Sequence, residues 1–442
     1  MSLQSVHSAR WIGSDSIEAS AAAADVSQNP AQRQAPELLA GHVEYDLGTR
    51  TFKFIKAVVN VDKRKPGPDP GPDFSCPNAA APACGSFSDP ARHRSNFGQL
   101  RVTTNAAFPD EIQMQAAGFL EGYLTAERIF DYAYNMKAWL FTQTNDSFAV
   151  GDWLFAQDNA SANYWRTIGL LTAQGLSPGQ VRSRIAKSGR CSALIKVTPD
   201  LSDILMGHVT WWGYASMLRL YKHYSFRLTS VSSADDWYLL GSGLVVTETS
   251  LDIYDHTRYN ASYGTGPGSL LSWQRALAAN LLAEDGAGWA ELAALHNSGS
   301  YNNQYLIVDL NRFSPGQELQ PGLLTVMEII PAGATDLASL RALLRSNAFG
   351  ARPADPLAAD SPWEALCGRG DLDPEDPDVY GCYDGKVTNY RRALALSADA
   401  INGPTTSGGQ RPFAWADHPR FERIPHRGML EVFDTAWEEQ AP

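Results

Sequence analysis

The sequence predicts an α+β protein, and three observations predict it. Several short runs alternate apolar with polar residues, one long stretch carries apolar residues at helical spacing, and Pro/Gly turns punctuate the rest. In chain order, "HVEYDLGTRTFKFIKAVVNV" reads as an edge strand or two after an Ala-, Ser- and Gln-rich start. Residues 63–90, "KRKPGPDPGPDFSCPNAAAPACGSFSDP", read as an exposed loop too rich in Pro and Gly for a regular element. "FGQLRVTTN" reads as a strand. The long helix follows over "DEIQMQAAGFLEGYLTAERIFDYAYNMKAWLF", with Asp110 as its cap.

Further on, "CSALIKV" places Cys191, Ala193, Ile195 and Val197 on one face of a half-buried strand. "HVTWWGYASMLRLYKHYSF" is aromatic and amphipathic, "SSADD" is a turn, and "WYLLGSGLVVTETSLDIY" is an apolar run. "SLLSWQRALAANLLAED" reads as a helix and "NNQYLIVDLN" as a strand, and no internal repeat is present.

With 442 residues, an apolar fraction of 44% and only 19% charged residues, the chain has enough apolar surface for one large core or two. A net charge of -12 without a basic stripe argues against a nucleic-acid partner. No apolar run is long enough for a membrane helix, and the start "MSLQSVHSARWIGSD" has no signal-peptide pattern.

The five cysteines point to an oxidising compartment instead. By spacing they divide into Cys76 with Cys84, Cys367 with Cys382, and Cys191 alone. The sequons at Asn145, Asn159 and Asn260 suit a secreted glycoprotein. No C-x-x-C or paired-histidine spacing accompanies the cysteines, so neither a metal nor another cofactor is expected.

Of the candidate sites, "GLSPG" matches a nucleophile elbow around Ser177 but fails on chemistry. The oxyanion hole needs the N–H of the following residue, and Pro178 has none. The "RGD" at residues 369–371 is too short to carry specificity. Cys191 follows the breaker Gly189 at the head of its strand, so a cut before it would make its nitrogen a chain terminus. His208 and Thr210 lie downstream, and the amides of Asn302 and Asn303 are able to donate to an oxyanion. Each has an ordinary reading too: a buried cysteine, a core histidine, turn asparagines.

The stretches "AAGFLEGYLTAERI", "CSALIK", "SMLRLYKHYSF", "DDWYLLGSGLVVTETSL", "NSGSYNNQYLIVDLNRFSPG", "GLLTVMEIIP", "DGKVTN" and "INGPT" with "PFAW" resemble the phospholipase B-like family in order and spacing. The resemblance runs from Phe97 to the C-terminus and leaves residues 1–96 poorly matched. That family is similar to the N-terminal nucleophile hydrolases, such as penicillin V acylase and bile-salt hydrolase. The resemblance therefore implies an αββα sandwich, self-cleavage between Arg190 and Cys191, and a domain of two associated fragments.

By the same resemblance Cys191 is the nucleophile, with its freed α-amine as base. His208 and Thr210 stand where the bile-salt hydrolases carry an arginine and an aspartate, and Asn303, with Asn302 beside it, forms the oxyanion hole. The family's "TYNNQW" reads "SYNNQY" here. The implied substrate is a small lipid or acyl amide, cleaved at an ester or amide bond in a lysosomal or secreted setting. Trp211, Trp212 and Trp237 are either acyl-pocket lining or core. The rival expectation is a catalytically idle lipid- or glycan-binding protein on the same fold.

Overall fold

A computed structural model describes residues 38–57, 76, 78–144, 190–250, 269–299, 301–329, 380–403, 412–417, 419–422 and 424–442. Two hairpins open the chain: β1 (Leu38–Asp46) pairs with β2 (Thr51–Lys56), and β3 (Ala83–Ser88) pairs with β4 (Gly98–Thr104). The helix α1 (Asp110–Thr144) follows. Next come β5 (Arg190–Val197), β6 (Ile204–Gly213), β7 (Leu220–Ser225), β8 (Ser230–Ala234), β9 (Trp237–Leu240) and β10 (Leu244–Ser250). Helices α2 (Ser272–Leu282) and α3 (Gly286–Ala294) lead to β11 (Asn303–Asp309) and β12 (Leu324–Glu328). The chain closes through β13 (Tyr380–Asn389), α4 (Tyr390–Leu394), β14 (Ala398–Asn402), β15 (Phe413–Ala414), α5 (Pro419–Glu422), β16 (Val432–Phe433) and β17 (Glu438–Gln440).

These strands build a ten-stranded sheet in the order β12-β11-β10-β9-β8-β7-β4-β3-β1-β2 and a five-stranded sheet in the order β17-β14-β13-β6-β5; β15 and β16 pair separately. Within the large sheet the β4–β7 pair is parallel, and the other pairs are antiparallel. The two sheets pack face to face. Ile204 and Met206 of β6, Ala398 and Ala400 of β14, and Ile195 and Val197 of β5 meet Tyr221, Trp237, Leu239 and Val245 of the large sheet in one core cluster.

Strand alternation sends the neighbouring side chains to the other face of the large sheet, where helices cover them. Leu100 and Val102 pack under Ala116, Ala117, Leu120 and Leu124 of α1, and Val246 and Ile307 pack under Ala276, Ala279, Trp289 and Ala293 of α2 and α3. The described layers are thus helix, sheet and sheet. The outer face of the small sheet carries Val209 and Ile401 beside Trp211 and Trp437. Among the described residues no helix is long and apolar enough to cross a membrane.

Two local expectations are corrected. The Pro/Gly-rich stretch ends in a regular element, because "ACGSFS" is the wholly buried strand β3 between β1 and β4. Its small residues let the strands approach closely: a Cβ on Gly85 would collide with the Arg101 backbone carbonyl. Composition alone hid this strand, since its Gly and Ser serve packing rather than a turn. Asp110 does not cap α1 but is its first residue, held by the Arg227 guanidinium at 2.8 and 3.1 Å. Its charge still lies at the end of the helix dipole that favours it.

The Cys76–Cys84 disulfide is present and ties the start of β3 to the preceding loop. The Cys367–Cys382 pairing, the three sequons, Ser177 and the RGD tripeptide fall outside the residues or side chains described.

His223 of β7 makes the core sensitive to acid. It is buried between the sheets, with Nδ1 2.8 Å from Ser232 Oγ, its ring beside Tyr221 and the Arg101 guanidinium nearby. Burial, reinforced by Arg101, pushes its pKa down from 6.5 to about 3. Above pH 6.5 the imidazole is neutral in both states. As pH falls from 6.5 toward 3 the unfolded chain takes up a proton that the folded chain refuses, so stability falls. At pH 4.5 this costs roughly 2–3 kcal/mol. Urea unfolding at pH 7.5 and 4.5 is expected to show His223→Gln losing less stability between the two than the native chain, and equal losses would contradict this.

Candidate active site at the head of the edge strand

The cluster forms where the inner face of the small sheet meets the β8–β9 turn and the β10–β11 pair of the large one. In the small sheet, Cys191 of β5 lies opposite Thr210 of β6, which lies opposite Asp384 of β13. One step along, Ala193, His208 and Lys386 form the next row. Side-chain alternation turns Cys191, His208, Thr210, Asp384 and Lys386 to the face that also carries Ile195 and Met206, toward the large sheet. The expected strand face through Cys191, Ile195 and Val197 is the one observed, with Ile195 and Val197 in the core and Cys191 half-buried at its open end. Among the described residues β5 is the edge of its sheet, so one side of the Arg190–Cys191 peptide has no described strand partner.

The large sheet contributes carboxyl groups. Asp235 and Asp236 form the tight turn between β8 and β9, with Asp236 at φ 54°, a left-handed conformation that aspartate tolerates. Asp236 Oδ2 is 4.0 Å from Cys191 Sγ and 2.6 Å from the Tyr301 hydroxyl, which is 2.9 Å from Glu248 Oε1. Glu248 is wholly buried on β10. Beyond it, with its amide oriented to satisfy both ends, Asn303 donates to Glu248 Oε2 at 3.2 Å and to the Asn302 carbonyl at 2.9 Å. Asn302 donates to the Gly299 carbonyl at 2.9 Å.

Burial dominates the electrostatics. It raises the Asp236 carboxyl to about 6, helped by Asp235, and pushes Glu248 well above the usual range, helped by Asp236. Burial, then the negative charges of Glu248, Asp236 and Asp235, raise the Cys191 thiol well above its ordinary value. His208 is driven the other way, chiefly by burial and then by Lys386, and stays neutral. Neither of its ring nitrogens makes a hydrogen bond of good geometry, although the Glu248 backbone carbonyl lies nearby.

A buried ionic network backs the cluster. Lys386 Nζ is 2.7 Å from Asp384 Oδ1 and donates to the Asp235 carbonyl at 3.1 Å, while Arg219 pairs with Asp235 at 3.2 Å and Asp384 at 3.3 Å. Thr210 is pinned here, its N–H donating to Asp384 at 2.9 Å and its hydroxyl to Asp235 at 3.2 Å.

The structure therefore brings Cys191, His208 and Asp236 together, links Thr210 through Asp235, and connects Asn303 through Glu248 and Tyr301. Asn302 is turned to the Gly299 carbonyl. Of the tryptophans, Trp237 is core, Trp211 lies on the outer face of the small sheet and donates to Ser192 Oγ at 3.3 Å, and the Trp212 side chain is not among those described. Sequence reasoning missed Asp236, Glu248, Tyr301, Asp384, Lys386 and Arg219. Their available signal was position inside the stretches "DDWYLLGSGLVVTETSL", "SYNNQY", "DGKVTN" and "SMLRLYKHYSF".

A family model described as Phospholipase B matches residues 83–179, 172–335 and 332–439. The chain belongs to the phospholipase B family. Phospholipase B-like 1 of Homo sapiens is 29% identical, over 74% of this chain and 80% of its own. Phospholipase B of Crotalus adamanteus is 27% identical, over 80% and 87% respectively. Phospholipase B-like protein B of Dictyostelium discoideum is 28% identical, over 77% and 82%. The phospholipase B family match spans every element that carries the cluster, from β5 through β13.

Within it, Tyr301 is the joint between the two buried carboxyl groups, held at φ 48° where an aromatic residue is uncommon. Tyr301→Phe removes the hydroxyl from both. The expected loss is about 1–3 kcal/mol, read as a lowered urea midpoint, and an unchanged midpoint would show that the pair does not depend on it.

Proposed function

We propose that this chain is a lipid-related hydrolase of the N-terminal nucleophile type, an αββα sandwich cleaved between Arg190 and Cys191, whose large sheet takes in β1, β2 and β3 as well as the residues from 97 onward. The observation that carries this reading is the placement of Cys191. Its thiol, at the head of an edge strand, points into a buried carboxyl and imidazole cluster between two face-packed sheets.

In the uncleaved chain the Cys191 sulfur attacks the Arg190 carbonyl carbon, the C–N bond to Cys191 breaks, and the nitrogen takes up a proton as the thioester forms. Water then hydrolyses the thioester to the Arg190 carboxylate and a free thiol. Asp236, 4.0 Å from the sulfur and titrating near 6, is placed to take the thiol proton before any α-amine exists. Cleavage then changes the charge balance, because a new α-ammonium among Asp235, Asp236 and Glu248 lowers the pKa of the neighbouring thiol. The α-amine takes over as base, and Cys191 attacks the acyl carbonyl of a lipid ester or amide.

His208 borders the nucleophile, Thr210 fixes Asp235 beside it, and the resemblance assigns the oxyanion donor to Asn303, with Asn302 beside it; that role requires one Asn303 N–H to leave Glu248 or the Asn302 carbonyl when substrate binds. The names of the relatives support a phospholipid or related acyl lipid as substrate. The Cys76–Cys84 disulfide supports a lysosomal or secreted setting.

The raised thiol favours the rival reading, an idle lipid- or glycan-binding protein. One experiment separates the two: incubate the purified chain at acidic pH without protease, sequence the new N-terminus, and assay fatty-acid release from phosphatidylcholine and from an N-acyl amide. A fragment beginning at Cys191 together with acyl release supports the hydrolase. A whole chain that binds lipid without turnover supports the binder.

A further inference from the structure

We propose that Cys191, His208 and Asp236 form a binding site for a divalent transition-metal ion of the zinc class, and that the bound ion blocks Cys191 as a nucleophile. The binding stands on the geometry alone; the blocking rests on the reading of Cys191 given above.

One ligand atom from each residue, the cysteine sulfur, an imidazole nitrogen and a carboxylate oxygen, lies within 4.8 Å of the other two. Around tetrahedral zinc, sulfur and oxygen or nitrogen ligands sit about 3.5 Å apart, given Zn–S near 2.3 Å and Zn–N or Zn–O near 2.0 Å. The 4.0 Å from Cys191 Sγ to Asp236 Oδ2 is therefore closed by small side-chain rotations.

The donor set is one that zinc-class ions accept: a thiolate, a neutral imidazole and a carboxylate, with one position left open. His208 makes the second, independent case. It is completely buried and, among the described residues, makes no hydrogen bond of good geometry through either ring nitrogen. With the Glu248 carbonyl as the near acceptor for one nitrogen, the lone pair of the other remains to be used.

Charge points the same way. The carboxyl groups of Asp236, Asp235 and Glu248 gather on this side of the cluster and favour a divalent cation, whose charge a thiolate and one carboxylate then balance. The Tyr301 hydroxyl, 2.6 Å from the same Asp236 Oδ2, holds that carboxylate in place beside Cys191. Binding would displace the thiol proton to solvent and tie up the sulfur lone pair that the acyl shift requires.

Cobalt(II) is the direct probe, because a cysteine ligand gives it a thiolate-to-metal absorption band. The purified chain, stripped with chelator and dialysed, is titrated first with Co²⁺ and then with Zn²⁺. The expected result is a band saturating at one equivalent and bleached by Zn²⁺, which binds such sites more tightly. Cys191→Ser should lose the band. His208→Gln and Asp236→Asn should each weaken Co²⁺ binding by more than about 100-fold, beyond the roughly 10–100-fold effect of losing an outer contact.

One equivalent of Zn²⁺ should also suppress the 190–191 cleavage, and a chelator should restore it. No band in the native chain, or a band that survives in Cys191→Ser, overturns the site. A band with unhindered cleavage overturns the blocking. If the band forms but the metal-free chain never cleaves, the site stands and the nucleophile reading falls. Cleavage without a band does the reverse.

Discussion

Cys191→Ala is expected to leave the chain whole at the 190–191 bond and to reduce acyl release by at least about 10³-fold, toward what the surrounding donors supply without a nucleophile. The effect should be large because one atom serves both steps. On the proposed mechanism the sulfur first opens the Arg190–Cys191 bond and later carries the acyl group, so nothing else in the cluster substitutes for it. Stability should change little: Cys191 is half-buried at an edge, and its closest polar contact is a 4.0 Å approach to Asp236.

Replacement by serine sharpens the result, since a hydroxyl keeps the shape but loses nucleophilicity. Cys191→Ser is expected to stay whole or to cleave far more slowly, with an unfolding midpoint close to that of the native chain. Intact mass and N-terminal sequencing read the first outcome, and acyl release reads the second. If Cys191→Ala still released a fragment beginning at residue 191, cleavage would come from another protease, and Cys191 would lose the role assigned to it.

What the sequence made legible follows from how each feature is encoded. Alternation located β4, β5 and β11, and helical spacing located α1 and α2, because those signals are local. β3 was lost because its residues were selected for close approach to β1 and β4, which no local pattern reports. The amphipathic stretch around Trp211 resolved into β6 and β7, which lie in different sheets, and that division is also a tertiary fact.

Cys191 stood out in the site through its position after a breaker and its lack of a cysteine partner. Asp236 did not, because it reads as a turn residue until the β8–β9 turn is laid against β5. Glu248 looked like one polar position in an apolar run. Its meaning comes from Tyr301 and Asn303, more than fifty residues further along the chain, which close over it.

The second large effect concerns stability. Lys386 and Asp384 are fully buried and 2.7 Å apart, two residues along β13 and on one face of the small sheet. Lys386→Met is expected to cost about 3–5 kcal/mol, because it leaves Asp384 charged in the interior with less compensation. Arg219 and the Thr210 N–H remain beside Asp384 and hold the loss toward the lower end.

The converse change, Asp384→Leu, strands the Lys386 ammonium against the Asp235 carbonyl and the Thr210 hydroxyl, which carry no full charge, so it should cost at least as much. Combining the two removes both charges together, and the double variant should be more stable than either single one. Urea midpoints for the four proteins give the coupling directly. Activity need not follow stability in this cycle. Lys386 and Asp384 also fix Asp235 and Thr210, so a double variant that folds well but cleaves poorly would assign the pair to positioning the carboxyl groups around Cys191. One that folds and cleaves normally would leave the pair a structural role alone.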